Sequence, residues 1–114
     1  MSRRDPRLRL IHMRDHAREA MELARGRTEA EIASDRLRAL ALARLLEIVG
    51  EAAQGVPEET RNRAPSIPWS AIVGLRNRLL HGYDAVDLSI VWQIVRRDLE
   101  PLVADLDRLL AESE

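Results

Sequence analysis

Arg76, Asn77, His81 and Tyr83 fall within one short segment, residues 76 to 83. A guanidinium holds phosphates and carboxylates through paired, charge-assisted hydrogen bonds. An imidazole exchanges a proton near neutral pH. Arginine, histidine and tyrosine at one place therefore point to phosphate chemistry. The apolar residues Trp69, Ile72, Val73, Leu79 and Leu80 recur at helical spacing, and Gly82 is a helix stop, so the segment reads as the end of a helix. On that reading Arg76 lies on the apolar stripe and faces inward, where an arginine needs an anion or a dense set of acceptors. Asn77, four residues before His81, shares its face and could orient the ring or bind phosphate. Arg78 points elsewhere, as a solvated or substrate-facing charge. The residues alone leave another account open: Arg76 paired to a carboxylate of a neighbouring helix, and His81 as a helix-terminal cap favoured by the dipole.

The elements that must position these residues are helical. Leu10, Met13, Ala17, Ala20, Met21 and Ala24 repeat at three and four, which predicts an amphipathic helix opened by Pro6 and ending near Arg25-Gly26. Residues 1–6 read as an arm ahead of it. His12 and His16 are one turn apart on this helix, but no third or fourth metal ligand accompanies them, and no metal is expected. A second helix is predicted from about Thr28 through Ile32, Leu37, Leu40, Ala43, Leu46 and Val49 to Gly55. It is apolar on almost every side from Ala39 to Val49, so it is the central one. Gly50 inside it costs about 1 kcal/mol relative to alanine, and a close helix crossing is the usual compensation. Glu51 is the carboxylate expected near Arg76; Glu47, one turn away, could take that place instead.

Pro57 to Asn62 reads as a single helical turn, and Ala64 to Pro68 as the extended lead-in to the helix of Trp69, a packing anchor. Tyr83 to Val86 is a loop, and Asp87 an N-cap. Leu88, Val91, Trp92, Val95, Leu99, Leu102, Leu106 and Leu109 form a long last stripe, which Pro101 should kink or divide. That stripe and that of the first helix exceed what one small bundle needs, which fits a dimer.

The 114 residues make one domain, with 46% hydrophobic and 32% charged residues. Net charge is −1, so the overall field does not favour a non-specific polyanion binder. All 18 basic residues are arginine, which matches a compositional bias. Without cysteine there are no disulfides, thiolate metal sites or thiol catalysis. No stretch is long and apolar enough to span a membrane, and the N-terminus lacks the apolar core of a signal peptide. Gly-rich phosphate loops, acidic metal clusters and serine triads are also missing from the sequence. A cytoplasmic location fits.

Arg76, four intervening residues, His81, one residue and Tyr83 resemble the arginine–histidine motif of HEPN-domain proteins. Ile48-Val49-Gly50-Glu51-Ala52-Ala53, Ile67-Pro68-Trp69, Gly74-Leu75-Arg76-Asn77 and His81-Gly82-Tyr83 are similar to the HepT-type branch. The likeness runs from about Arg7 to Leu110 without departure at the motif. It implies an all-α, HEPN-type antiparallel bundle of four to five helices over residues 1–114, paired into a homodimer whose two motifs face each other across a cleft. It implies a metal-independent endoribonuclease with Arg76 and His81 catalytic and Asn77 and Glu51 positioning substrate. It implies the toxin of a toxin–antitoxin pair, with no cofactor. Its partner would be a minimal nucleotidyltransferase antitoxin that adenylylates Tyr83. The alternative is a non-catalytic module that holds the nucleotidyltransferase and binds nucleotide or RNA.

Overall fold

The computed structural model describes residues 5–81 and 85–112, without the side chains of Leu80, His81 and Ala85. Helix α1 spans Pro6–Ala24. Asp5 caps it through its side chain, which accepts the Arg7 amide at 2.9 Å, and Pro6 is its first residue. Asp5 and Pro6, expected within an arm over 1–6, instead belong to the start of α1, and the rest of that stretch lies outside the described residues. Proline suits this position because the first-turn N–H it lacks has no helical partner anyway. Leu10, Met13, Ala17, Ala20 and Ala24 are buried along one stripe. The three alanines let the next helix approach closely.

The single helix expected from Thr28 to Gly55 is two. Thr28 and Glu31 form a reciprocal capping box on α2, Glu29–Ala33. Asp35 then starts α3, Arg36–Gln54, its carboxylate accepting the Arg38 amide at 3.1 Å. A side chain that satisfies a first-turn amide sets a new helix start even inside a helix-rich sequence. The restart changes the phase, so Leu37, expected on the buried stripe, is 80% exposed. Leu42, Leu46, Val49 and Ala53 are buried, and α3 is the central helix, packed antiparallel to α1.

Helix α4, Glu58–Arg61, is the expected short turn after Pro57. Helix α5, Trp69–Val73, packs on α3. Trp69 is buried, and its indole N–H donates to the Ala64 carbonyl at 3.1 Å, which pins the lead-in as expected of an anchor. An ideal Cβ on Gly50 would lie 2.7 Å from the Ile72 carbonyl oxygen. The glycine is thus the condition for the α3–α5 crossing, and the closeness offsets its poor helix propensity.

Beyond Gly74 the chain turns into α6, Leu75–Leu79. A two-residue antiparallel ladder follows. Strand β1, Leu80–His81, pairs with β2, Ala85–Val86, in the register Leu80 to Val86 and His81 to Ala85. The Asp87 amide closes the hairpin by donating to the Leu79 carbonyl at 2.8 Å. Asp87 caps α7, Leu88–Gln93, as expected. A π-helical segment, Ile94–Asp98, leads straight into α8, Leu99–Glu112. Pro101 does not divide this rod. It has no N–H to give to the carbonyl four residues back, and the wider π turn lies immediately upstream of it. Helix α8 packs antiparallel to α1, with Arg14 and Arg18 of α1 both reaching Asp107.

Arginines close three helix C-termini from elsewhere in the chain. Arg38 donates to Leu23 O at the end of α1, Arg61 to Ala53 O and Val56 O beyond α3, and Arg7 to Leu110 O of α8. Such forks satisfy carbonyls that the helix itself leaves open and favour its negative end. The expected all-α bundle is borne out, with the small ladder added.

Two tests follow from this packing. Gly50→Ala should lower stability by about 1–2 kcal/mol in urea unfolding, because overpacking against a backbone oxygen outweighs the gain in helix propensity. The Arg38 amide holds the Asp35 carboxyl below its ordinary value of 3.8; it outweighs desolvation, which acts the other way, and the Arg38 side chain and the Arg27 charge add smaller lowering contributions. A lowered carboxyl pKa stabilises the fold above its unfolded value and stops doing so as pH falls through the folded one. Asp35→Asn keeps a capping oxygen but loses the charge. It should melt a few degrees below wild type at neutral pH, with the gap closing as pH falls through the lowered carboxyl pKa of the folded state.

Candidate functional site

The break at Gly74 decides where Arg76 goes. Were α5 and α6 one helix, Arg76 would continue the apolar stripe. After the break Leu75 and Leu79 take the buried positions, while Arg76, Asn77 and Arg78 are exposed. The inward-facing arginine is thus corrected: its side chain is 73% exposed. It meets an acceptor nonetheless. Arg76 Nε lies 3.7 Å from Glu47 Oε2, and the Glu47 side chain is only 14% exposed. At that distance the pair is an ionic contact rather than a hydrogen bond.

Glu47 comes from α3, one turn before Gly50. Arg44 Nη1 approaches its other oxygen at 3.8 Å and Glu51 Oε2 at 3.1 Å. Arg44, Glu47 and Glu51 occupy one face of α3 by their three- and four-residue spacing. Between that face and α5–α6 lies a polar cavity of about 210 Å³, lined by Glu47, Gly50, Glu51, Gln54, Val73, Arg76 and Asn77. Asn77, Arg76 and Glu51 therefore share one cavity. The carboxylate in contact with Arg76 is Glu47, while Glu51 pairs with Arg44. Arg44 and Gln54 were not singled out in the sequence. The spacing of Arg44 with Glu47 and Glu51 could have revealed the first; nothing marked the second.

The helix end expected at His81 is not there. Helix α6 stops at Leu79, and His81 sits in β1. Asn77 and His81 consequently lie on different elements and not on one helix face. The placement of the His81 side chain, Gly82 and Tyr83 lies outside the described residues. On α1, His16 Nδ1 is 2.7 Å from the His12 carbonyl oxygen, and the two rings meet edge to face. Among the described residues no group of three or more histidine, cysteine or acidic side chains could hold a metal ion. No described helix is long and apolar enough to cross a membrane.

Together these features define a class: a small all-helical bundle that presents an exposed arginine beside a half-sequestered carboxylate network, with a histidine in the adjoining hairpin. The chain belongs to the HepT-like family, whose model, described as "Ribonuclease HepT-like", matches residues 13–109. It is 31% identical over 107 residues to a Methanocaldococcus jannaschii protein named "Putative RNase", covering 94% of this chain and 98% of that one. It is 33% identical over 75 residues to a Thermococcus cleftensis protein named "Probable ribonuclease HepT", covering 66% and 68% respectively. A third relative, named "Putative RNase", comes from Caldanaerobacter subterraneus and is 28% identical over 109 residues, covering 96% and 97%. No solved structure matches significantly. Ribonuclease activity is thereby assigned at the level of the family.

The two glutamates can be told apart. Glu47→Ala should release the Arg76 side chain, seen as loss of a distinct Arg76 Nε–H resonance, at a cost of about 1 kcal/mol or less in stability. Glu51→Ala should leave that resonance in place. The reverse pattern would make Glu51 the residue that holds Arg76.

Proposed function

We propose that this protein is a metal-independent endoribonuclease with Arg76 and His81 as its catalytic residues. The observation that carries the reading is the state of Arg76. Its guanidinium is largely exposed at the rim of a polar cavity, yet restrained on one side by a mostly buried glutamate. An arginine held this way can meet a phosphate without first being ordered, which is how preorganised electrostatic stabilisation works. Membership of a ribonuclease family supports the substrate class.

The chemistry needs only the RNA and these side chains. The 2′-oxygen attacks the adjacent phosphorus, the bond from phosphorus to the 5′-oxygen breaks, and a 2′,3′-cyclic phosphate and a 5′-hydroxyl result. One His81 imidazole takes the proton of the 2′-hydroxyl and a second, protonated one gives a proton to the leaving 5′-oxygen. Arg76 stabilises the charge that builds on the phosphorane, while Asn77 and Glu51 position the phosphate and the strand. Two histidines require two chains, so the working form is a homodimer with one motif from each protomer.

The same reading extends to control. The protein is the toxin of a two-component system in the cytoplasm, and its antitoxin is a minimal nucleotidyltransferase. Transfer of AMP to the Tyr83 hydroxyl adds bulk and negative charge two residues from His81, where the RNA phosphate must sit.

Expression of the chain alone tests this, with wild type beside Arg76→Ala and His81→Ala. Wild type should arrest growth and fragment RNA, and each variant should cut at least ~100-fold more slowly in vitro. Fragments should carry 2′,3′-cyclic phosphate and form in the presence of a chelator. Strict magnesium dependence would sink the mechanism. Arrest in all three proteins, or in none, would favour the non-catalytic module that binds the nucleotidyltransferase.

A further inference from the structure

A second cleft lies on the other flank of α6. It has a volume of about 200 Å³ and is mainly apolar, with Ile72 and Leu75 on one wall and Ile94 and Leu102 on the other. Arg78 and Asp98 stand at its margin, both exposed. The far wall is the π segment and the start of α8, and π turns inside helices recur at functional sites. Two acidic residues line the cleft, and they differ. Asp105 is engaged, accepting from Arg108 at 2.9 Å and from the Ser66 hydroxyl at 3.3 Å. No described residue pairs with the carboxylate of Asp98.

We infer that this cleft is a base-recognition subsite, which seats one guanine of the RNA strand whose phosphate meets Arg76. The inference rests on the ribonuclease reading for its substrate. Arg76, Asn77 and Arg78 follow one another on the exposed side of α6, with Arg76 and Asn77 lining the polar cavity and Arg78 the apolar cleft, so a single strand crossing α6 meets both. Its volume, below the usual 300–1,000 Å³ of pockets for whole ligands, suits a single flat ring system. Apolar walls favour a base over a sugar or phosphate. The free carboxylate selects among bases. Only guanine presents two adjacent donors, N1–H and the N2 amino group, on its Watson–Crick edge, and a carboxylate accepts both side by side. Arg78 at the margin offsets the repulsion between Asp98 and the RNA backbone.

The test uses the full chain carrying His81→Ala, which leaves RNA uncut under the ribonuclease reading. Labelled single-stranded oligoribonucleotides of A, C and U, with or without one G, are titrated by fluorescence anisotropy. The G-containing RNA should bind about tenfold more tightly or better. Asp98→Asn should bring it to the G-free value, as should Ala71→Trp, which fills the cleft from its exposed rim. Both changes should leave the circular dichroism spectrum unaltered. Equal affinity for the two RNAs, or a preference that survives Asp98→Asn, overturns the inference. So does a change of oligomeric mass in Ala71→Trp with base preference intact, which would make the cleft a contact between copies. Cleavage by the otherwise wild-type protein is followed in parallel. Its absence would overturn the ribonuclease reading alone, since base preference is read on uncut RNA.

Discussion

The contact between Gly50 and the Ile72 carbonyl is the constraint on which the site depends. Helix α3 is the centre of the bundle, and α5 can lie against it only where no Cβ intervenes. That crossing fixes the height of α5 along α3, and therefore the distance from Glu47, one turn before Gly50, to Arg76, two residues beyond Gly74. The residue that permits tight packing also sets the spacing of the charged pair. The polar cavity is the gap left between the two helices on their exposed side, and Gly50 itself forms part of its wall.

How much of this could be read from the sequence follows from the range of the interactions involved. Periodicity gave α1, the buried part of α3 and the last rod, because apolar stripes report a one-dimensional repeat. Gly50, Trp69 and Asp87 each have a local reason that a sequence displays. What escaped were competitions between local signals. Asp35 looks like any exposed acid within a helical run, yet its capping bond splits that run in two. Gly74 falls inside the segment read as one helix from Trp69 to Gly82, yet it ends α5 and turns Arg76 outward. The ladder holding His81 involves two residues on each strand, too few for any alternation to show. The choice between Glu47 and Glu51 depends on side-chain reach across two helices, which spacing along one helix does not encode.

The absence of lysine has a counterpart in the fold. Arg7, Arg38 and Arg61 each reach across to the carbonyls that end another helix, and Arg61 also lies over the face of Trp69. A guanidinium offers several donors in one plane and stacks on an aromatic ring, so one side chain can do both. An ammonium could not reproduce the pair of bonds from Arg61 to Ala53 and Val56 together with that stacking. A compositional bias toward arginine is therefore compatible with the packing and in these places used by it.

The π segment has a geometric consequence for the histidine on the opposite side of the hairpin. An α-helix advances about 100° per residue, and a π turn accommodates one extra residue without that rotation being passed on. Val91 and Val95 before or within the segment and Leu102, Leu106 and Leu109 after it are thus all buried in one core. Ironing the segment into regular helix by removing one residue would swing everything upstream of it by roughly a quarter-turn relative to α8. Asp87 and β2 would swing with it, and β2 is what β1 pairs with. The register of the last helix thus acts as the angular index that decides where the strand bearing His81 is laid down.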